Sequence, residues 1–344
     1  MKLLFLTSGP NVPSTRFRIL QYIPLLEAEG HECVVAHSWP AKYEQSPWLG
    51  FRLSQKARRW KRRKDLRTAA SGQFDVVVLE RELFDDDTCD LELAFRKIAP
   101  RFVLDIDDGV FLRWPKKFEA IAQAADQVIA GSNFLAEICR RHARFASIVP
   151  TCVDIHRYQL KSHAPNEVPV IGWTGSSSNL TYFSQISDAL FQLGRLIPFE
   201  LVIVADEAAR GLLPAMPGIR PRFIPWSIDS ETAALLQFDV GIMPLPDDDW
   251  SRSKCGFKLI QYMAAGLPTV ASPVGVNRQI TIPGVTGELA STTSEWVAAL
   301  HELLTEVERR RQLGSAGRKR VESHYSLEAN WPEWRVDVLG PSAE

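Results

Sequence analysis

Short apolar segments alternate with longer amphipathic or polar segments along this chain, and the alternation restricts the fold more than any other feature. Residues 3–6 and 31–36 have the character of buried strands, and residues 16–30 between them that of a helix ending at Gly30. A strand, a helix and a second strand in this order are typical of a βαβ unit in a parallel sheet. The sequence therefore predicts an α/β fold. Further strands are predicted over residues 74–79, 101–106, 126–130, 146–150, 170–173, 200–205, 222–224, 238–243 and 269–272.

The chain length predicts two domains. With 344 residues the chain is too long for one ordinary core. The polar, proline-containing residues 158–169 place the boundary, ahead of a new first strand at residue 170. A long helix is predicted over residues 294–322, and Trp331 and Trp334 in the tail are expected to be packing residues.

Composition and charge exclude several classes of protein. A net charge of -1 argues against bulk electrostatic attraction to nucleic acid, and no apolar run approaches the length that crosses a bilayer. The apolar start at residues 1–6 is too short for a signal peptide. Five spread cysteines without a Cys-x-x-Cys pair indicate free thiols in a reducing cytoplasm. The seven histidines have no spacing suited to a metal site, so no structural zinc is expected.

A short predicted helix in the second half has the features of an anion site. It begins near Gly256 and ends at Gly266, with Pro268 two residues beyond. Lys254 and Lys258 flank its start, with no acidic side chain between them. Backbone N–H groups at a helix start bind phosphate together with nearby positive charge, and a glycine lets a ligand approach the backbone. A solvated pair of lysines is the alternative interpretation.

Polar and basic residues follow the first predicted strand. Ser14, Arg16 and Arg18 lie where a strand end meets a helix start, which is the usual ligand side of a parallel sheet. The preceding residues 9–14 lack the Gly-x-Gly-x-x-Gly spacing, so a dinucleotide fingerprint is not predicted. The alternative is that Ser14 is a helix N-cap and both arginines are surface charge.

Acidic side chains end two later strands of the first half. Glu80 follows residues 74–79, and Asp107 and Asp108 follow residues 101–106. Because the carboxyl ends of parallel strands meet at one edge, these groups are expected to face one crevice. Asp105 is expected to lie in the packing of the sheet or to pair with an arginine. An Asp-x-Asp could also bind a metal, and residues 85–88 predict a helix cap.

Residues 48–67 combine basic and apolar side chains. Nine cations accompany a single acid, Asp65. The cations are Arg52, Lys56, Arg58, Arg59, Lys61, Arg62, Arg63, Lys64 and Arg67, and the apolar residues are Trp48, Leu49, Phe51, Leu53 and Trp60. We interpret the segment as a helix that lies on an anionic membrane surface. A nucleic-acid patch would lack an accompanying motif, and a merely solvated basic helix is the remaining alternative.

The second half resembles the donor region of glycosyltransferase family 4 and its relatives, which have the GT-B fold. The family pattern is an acid, seven residues, a second acid and then Ala-Met-Ala-x-Gly-x-Pro-Val-Val-Ala; residues 263–272 read Met-Ala-Ala-Gly-Leu-Pro-Thr-Val-Ala-Ser. Gly256-Phe257 is similar to the Gly-Phe at the helix start, and residues 284–287 to the closing Gly-x-x-Gly turn, here read as hairpin-like. Neither acid is present, because the two positions hold Ser253 and Gln261.

The resemblance covers essentially the whole chain and implies an architecture. It implies two Rossmann-like domains facing a central cleft: an acceptor domain over residues 1–163 and a nucleotide-sugar donor domain over 164–322. A tail over 323–344 would cross back onto the first domain. The histidine-aspartate pair that often ends a first-domain strand in the family appears here as Asp107-Asp108.

The resemblance and the residue patterns together assign roles to individual residues. A small-residue loop after the strand at 170–173 suits approach by a phosphate or a sugar, and Trp226-Ser227 lies where the nucleobase of the family sits. The donor-binding set is Gly175, Ser176, Trp226, Ser227, Gly256, Phe257 and Gln261. The acceptor-binding set is Ser14, Arg16, Arg18 and Glu80. The catalytic set is Lys254 and Lys258, which would hold the donor diphosphate, and Asp107 and Asp108, one of which would orient a hydroxyl or act as a base.

These roles imply a glycosyltransferase that uses a nucleotide-diphosphate sugar as substrate and needs no cofactor or metal. The acceptor would be a glycan, a lipid-linked sugar or another cell-surface polysaccharide, and transfer would retain the anomeric configuration. The protein would be cytoplasmic and peripheral on the inner face of the membrane. A non-catalytic relative that binds nucleotides or glycans, and a nucleotide-sugar epimerase of the same fold, stay open as alternatives.

Overall fold

The computed structural model describes residues 1–42, 50–164, 167–213 and 216–341. These residues form two compact units, each containing a six-stranded sheet. The first unit comprises Met1–Cys152, Ser253–Cys255 and the residues from Asn330 onward, and the second comprises Val153–Arg252 and Gly256–Ala329. Trp48 and Leu49 of the predicted membrane segment lie outside the described residues.

The sheet of the first unit is parallel and has the strand order β2-β1-β3-β4-β5-β6. Its strands are β1 (Lys2–Thr7), β2 (Glu32–His37), β3 (Val76–Glu80), β4 (Arg101–Ile106), β5 (Gln127–Ala130) and β6 (Ala146–Ile148). Its helices are α1 (Ile23–Ala28), α2 (Gly50–Ala70), α3 (Asp90–Arg96), α4 (Pro115–Ala124) and α5 (Asn133–Cys139), and a π-helical turn (Thr15–Ile19) follows β1. The strand order reverses between β1 and β3, where parallel α/β sheets usually bind ligands at the carboxyl edge.

The sheet of the second unit is also parallel, with the order β12-β11-β10-β7-β8-β9. Its strands are β7 (Val170–Gly175), β8 (Glu200–Ala205), β9 (Arg222–Pro225), β10 (Val240–Met243), β11 (Thr269–Ala271) and β12 (Gly287–Leu289). Its helices are α6 (Ser187–Gly194), α7 (Glu231–Leu235), α8 (Asp249–Arg252), α9 (Phe257–Ala264), α10 (Asn277–Ile280), α11 (Thr293–Thr305) and α12 (Val307–His324). The chain continues into α13 (Leu327–Leu339).

The central strands of both sheets carry the apolar cores. Leu79 and Phe102 are fully buried in the first core, and Ile171, Ile203 and Ile242 in the second. Strands covered by helices on both faces need continuous apolar runs, which is the character that the sequence showed. The predicted α/β fold with two parallel sheets is therefore confirmed.

The tryptophans of the tail are packing residues, as predicted. Trp334 is buried and stacks on Tyr22, with ring centroids 4.1 Å apart and an interplanar angle of 6°. Trp331 lies 5.9 Å from Trp334. The five cysteines are free thiols, also as predicted.

The single helix predicted over residues 294–322 is wrong. α11 and α12 are separated at Glu306, whose φ of -99° and ψ of 89° are not helical. The guanidinium of Arg310 donates to the carbonyls of Leu303 (2.8 Å) and Leu304 (3.0 Å). These bonds satisfy carbonyls left open at the end of α11 and so stabilise the break.

Two local predictions also need correction. Residues 85–88 do not cap α3, because its N-cap is Cys89 without a side-chain cap bond. The Asp86 carboxylate instead accepts from the Thr88 hydroxyl (2.6 Å) and from Arg59 of α2 (2.8 Å). The turn at residues 284–287 leads into β12, which pairs in parallel with β11 and so does not form a hairpin.

α2 is a helix as predicted, but two of its cations are buried. Arg62 donates to the carbonyls of Thr7 (2.6 Å) and Ala36 (2.7 Å) at the ends of β1 and β2, and Arg58 donates to that of Ala41 (2.7 Å). The two guanidinium groups therefore anchor α2 to the carboxyl edge of the sheet. The helices of the described residues include none with an apolar stretch that could span a bilayer.

Candidate functional site

The start of α9 is built on a glycine in the left-handed conformation. Gly256 has a φ of 66°, and a Cβ at this position would lie 2.2 Å from Cδ1 of Ile280. A side chain would therefore meet both backbone strain and a clash. No side-chain hydrogen bond caps α9 at Gly256.

Lys258 and Gly175, which are far apart in the sequence, lie side by side in the second unit. The Nζ of Lys258 is 5.5 Å from the ring centroid of Trp173, within the range of a cation–π contact. A Cβ at Gly175 would lie 2.5 Å from the Trp173 ring and 2.9 Å from Cε of Lys258. Glycine at this position thus makes room for the lysine stem at the carboxyl end of β7.

The loop after β7 is held by Asp206, which sequence reasoning missed. The Ser177 N–H donates to the Asp206 carboxylate (2.7 Å) at the end of β8. The Ser176 hydroxyl accepts from the Asn179 amide (2.9 Å) and lies 3.0 Å from the Ser178 hydroxyl. These bonds fix the exposed Ser176 beside Gly175.

Trp226 and Ser227 lie at the same edge of this sheet. The strand register pairs Gly175 with Ala205 and Ala205 with Pro225, so the ends of β7, β8 and β9 are level. The Trp226 N–H donates to the Ala205 carbonyl (2.7 Å). Trp226 is half-buried and Ser227 is exposed.

Gln261 occupies the position of the second family acid, and the structure supplies a carboxylate beside it. Gln261 is buried, and its amide donates to Oε1 of Glu231 (3.0 Å) and to the Tyr158 hydroxyl (3.2 Å). Glu231 is the first residue of α7 and lies 30 residues before Gln261. No local pattern in the sequence marks this pairing.

Glu80 joins several groups where the strand order of the first sheet reverses. Its buried carboxylate accepts from the Ser8 N–H (2.9 Å), from the Thr15 hydroxyl (2.6 Å) and from the Ser14 hydroxyl. Ser14 stands at the N-cap of the π-helical turn, as the alternative interpretation expected, but its hydroxyl donates to Glu80 and makes no side-chain cap bond. The predicted residues Ser14 and Glu80 are therefore direct partners of each other.

Arg18 forms a buried ion pair with Asp105. Nε and Nη2 of Arg18 each lie 2.8 Å from a carboxylate oxygen of Asp105, and Nη1 donates to the Val149 carbonyl (2.7 Å). The pairing predicted for Asp105 is confirmed, and the surface-charge alternative for Arg16 and Arg18 is wrong because both are buried. Burial raises the pKa of Asp105 to about 6, although the charge of Arg18 acts in the opposite direction. The Arg18 side chain is only 2% exposed, so it lies below the surface of the site and acts by holding Asp105.

A second ion pair lies nearer the surface and includes a residue that sequence reasoning missed. Nε of Arg81 is 2.5 Å from Oδ1 of Asp107, and Nη2 is 3.9 Å from Oδ2 of Asp108. Burial opposes ionisation of Asp107, but its ion pair with Arg81 outweighs burial and keeps the pKa of Asp107 below the usual value. Because Asp105 and Asp107 each pair with an arginine, the two carboxylates of the Asp-x-Asp do not face each other as metal ligands.

Lys254 belongs to the first unit, in a short segment that packs beside Asp107. The Cys255 thiol donates to the Asp107 carbonyl (3.2 Å), and a Cβ at Gly131 would lie 2.4 Å from Cys255 Sγ. Burial raises the pKa of this thiol well above its usual value. The two predicted lysines thus belong to different compact units, Lys254 to the first and Lys258 to the second.

One protein-family model matches the second half of the chain. Residues 168–306 match the family model described as Glycosyl transferases group 1, so this part of the chain is a group 1 glycosyltransferase domain. No curated protein matches the chain significantly.

Solved structures resemble the whole chain. A sucrose-phosphate synthase from Thermosynechococcus elongatus is 17% identical with a TM-score of 0.75, and the match covers 97% of each chain. Anabaena HepE, solved in complex with UDP and glucose, is 15% identical with a TM-score of 0.67, over 97% of this chain and 98% of HepE. The lipopolysaccharide outer core galactosyltransferase WaaB is 14% identical with a TM-score of 0.61, over 98% and 99%. These likenesses establish the GT-B fold.

Proposed function

The chain is a glycosyltransferase of the GT-B type with a group 1 domain over residues 168–306, and we propose that it uses a nucleoside-diphosphate sugar as donor. The acceptor is a hydroxyl of a glycan, a lipid-linked sugar or another cell-surface polysaccharide. We assign the donor to the domain predicted over residues 164–322 and the acceptor to that over residues 1–163. The donor is a substrate, and the proposed reaction needs no separate cofactor.

One observation carries the proposal: Lys258 lies beside Gly175 in the first turn of a helix that begins at a left-handed glycine. Positive charge, the N-terminal end of a helix and a glycine at the strand end are the features that bind a diphosphate. We assign Lys258 and the amides near Gly256 and Phe257 to the diphosphate, with Gly175 and Ser176 lining its approach. Lys254 is assigned to the same leaving group.

This arrangement supports a specific catalytic role. Glycosyl transfer breaks the bond between the sugar C1 and the diphosphate oxygen, so negative charge develops on the diphosphate. Donors fixed in advance at that charge lower the barrier, and loss of one such donor costs about 10²–10³ in rate. In this mechanism the protein's own groups stabilise the charge that develops on the diphosphate. We also propose that transfer retains the anomeric configuration.

We assign the remaining residues to the nucleobase of the donor, to the acceptor or to a sugar hydroxyl. Trp226 and Ser227 lie at the edge where the loops after β7, β8 and β9 meet, and we assign them to the nucleobase. Ser14 and Glu80 are assigned to the acceptor through their mutual hydrogen bond. Arg16, two residues after Ser14 in the sequence, is also buried. Arg18 acts on the acceptor site indirectly, through its ion pair with Asp105. Asp107 and Asp108 are assigned to a sugar hydroxyl.

Nucleotide binding and turnover test the proposal directly. A thermal-shift screen with UDP, GDP, ADP and CDP should show a rise in Tm for at least one nucleotide, because a ligand that binds the folded state stabilises it. Mass spectrometry of the matching nucleotide sugars should then show transfer or hydrolysis. Binding without any turnover would favour the non-catalytic alternative, and isomerised sugar would favour the epimerase.

The variant Lys258→Met separates the contribution of the lysine charge from that of its packing against Trp173. The methionine side chain keeps an apolar stem over Trp173 while removing the ammonium group, so we expect the fold to persist and turnover to fall about 10²-fold or more. The exposed Lys319 on α12 provides a matched control, Lys319→Met, with unchanged turnover. Unchanged turnover in Lys258→Met would remove the central assignment.

We also propose that the outer face of α2 docks on an anionic membrane. Its exposed side chains include Trp60 and Leu53 and no acid, since Asp65 is turned toward Arg62 and Lys61. The exposed cations are Arg52, Lys56, Arg63, Lys64 and Arg67. Each cation near such a surface contributes roughly 1 kcal/mol.

Co-sedimentation with vesicles tests this docking. Vesicles of phosphatidylcholine with phosphatidylserine should pellet the protein, and vesicles of phosphatidylcholine alone should not. The triple variant Arg63→Gln, Lys64→Gln, Arg67→Gln should pellet far less, while Arg309→Gln on α12 should behave as the wild type. Equal pelleting of the triple variant and the wild type would refute the proposal.

A further inference from the structure

Arg81 has a backbone conformation that side-chain-bearing residues rarely adopt. Its φ is 55°, and among the described residues only one other non-glycine residue, Gln73, has a positive φ. The left-handed conformation is sterically unfavourable for a residue that carries a Cβ. Arg81 directly follows β3, next to the point where the strand order of the first sheet reverses. Strained residues of this kind cluster at functional sites.

Buried polar contacts on both sides hold Arg81 in this conformation. Glu80, before it, accepts three hydrogen bonds from the segment that follows β1. Glu82, after it, is buried and lies 2.9 Å from Nζ of Lys42 and 3.8 Å from that of Lys117. The Arg81 N–H itself donates to the Asp105 carbonyl (2.8 Å). The surrounding structure therefore determines the backbone of Arg81 strongly enough to maintain the strain.

The conformation directs the Arg81 side chain onto Asp107. The two groups lie 2.5 Å apart, with side-chain exposures of 11% and 10%, whereas Asp108 lies 3.9 Å away and is 21% exposed. The other charged or titratable groups that act on Asp107 come from neighbouring elements. They are Arg18 after β1, Asp105 on β4 and Cys255.

We propose that Arg81 is a positioning residue that holds the Asp107 carboxylate fixed and ionised at the carboxyl edge of the first sheet. In this state Asp107 accepts a hydrogen bond from a sugar hydroxyl and does not take up its proton. The physical reason is that a carboxylate paired with a guanidinium has little affinity for a proton, and a general base needs a pKa near the working pH. This inference rests on the proposed function, and it chooses between the two roles that the sequence left open for Asp107.

Arg81→Asn tests the inference without imposing a new backbone strain. Asparagine tolerates the left-handed conformation better than most residues, and Arg81→Gly, which has no Cβ, checks that the effect comes from lost charge. Carboxyl ¹³C NMR of the full chain, with Asp107→Asn to assign the resonance, should show the pKa of Asp107 rising by about one to three units in both variants. Arg81→Lys should largely restore the wild-type value.

The pH dependence of turnover provides the second readout. UDP-glucose is the first substrate to be tried, followed by the nucleotide sugar that the thermal-shift screen identifies. Loss of Arg81 raises the pKa of Asp107, so the acid limb of kcat/KM should move to higher pH by the same amount, with activity recovering at alkaline pH. In an Asp107→Asn background, Arg81→Asn should produce no further shift. Nucleotide binding should stay unchanged in all of these variants.

The outcomes separate the two proposals. An unmoved carboxyl titration, or an unmoved acid limb with only a lower Tm, would show that Arg81 is merely structural and overturn the inference. A wild-type chain that binds no nucleotide and turns over no nucleotide sugar would refute the proposed function, and with it the sugar contact of Asp107. Intact nucleotide binding with an unmoved acid limb would overturn the inference alone.

Discussion

Restoring the family acid at position 261 should destabilise the second unit. In the wild type, the Gln261 amide donates to Oε1 of Glu231 at 3.0 Å. Gln261→Glu would replace the donor with a second carboxylate at nearly the same distance. Two carboxylates this close cannot both ionise, so one of them must keep a proton in the folded state.

The expected loss follows from the cost of holding that proton. An ordinary glutamate has a pKa of about 4.3, so keeping one carboxyl neutral at pH 7.5 costs roughly 4 kcal/mol, at about 1.4 kcal/mol per pH unit. The hydrogen bond between the shared proton and the second carboxylate offsets about 2 kcal/mol of this. Rotation of the half-buried Glu231 toward water limits the cost further. We therefore expect a net loss of about 2 kcal/mol at pH 7.5.

The sign of the pH dependence is the distinguishing feature. The variant raises the pKa of one carboxyl in the folded state above its unfolded value, so the penalty is absent below about pH 4 and grows as the pH rises. Calorimetry at pH 7.5 should show the variant unfolding roughly 4–8 °C below the wild type. At pH 5.5 most of this difference should disappear.

Two variants control this experiment. The double variant Glu231→Gln, Gln261→Glu reverses the pair and should recover most of the lost stability at pH 7.5. Glu231→Gln alone should show no such pH dependence. A Gln261→Glu variant as stable as the wild type at pH 7.5, or one whose loss is the same at pH 5.5, would refute the reasoning.

Three further outcomes can be measured. Gly256→Ala should lower the free energy of unfolding by about 2–4 kcal/mol in urea titrations, because the new Cβ meets left-handed strain and Ile280; equal stability would contradict the described start of α9. Asp105→Asn should cost about 3–5 kcal/mol by leaving Arg18 buried without its charged partner, and wild-type stability would contradict a structural role. Asp337→Asn should raise the Tm at pH 8 but hardly at pH 4.5. Burial raises the pKa of Asp337 to about 6, above the ordinary value of about 4, so its ionisation destabilises the fold increasingly as the pH rises from about 4 to about 6 and fully above that. The exposed Glu137→Gln is its control.

Single residues illustrate how far sequence patterns reached. For Asp105 the sequence predicts either packing in the sheet or pairing with an arginine, and its actual partner, Arg18, is 87 residues away. The sequence assigns Arg18 to the acceptor, because its position after β1 is visible in the sequence and its burial is not. The glycine at 256 was recognised because helix starts leave a strong local pattern.

Other features left no local pattern at all. The left-handed φ of Arg81 is maintained by the buried partners of Glu80 and Glu82, and an arginine does not mark such a conformation in a sequence as a glycine would. The break at Glu306 contains neither glycine nor proline and depends on Arg310 reaching back to α11. The carboxylate of Glu231 comes near Gln261 only through the packing of α7 and α9.

The amino-acid sequence by itself determined the two parallel sheets, the order of their elements and the edge at which polar groups gather. Those properties follow from the local alternation of apolar and polar residues and from the glycines and charged residues that directly follow the strands in the sequence. The tertiary structure alone decided which charges meet: Arg18 with Asp105, Arg81 with Asp107, and Lys258 with Gly175. Pairings of this kind depend on distance in space. When two residues lie tens of positions apart in the chain, no local sequence pattern shows that they are in contact.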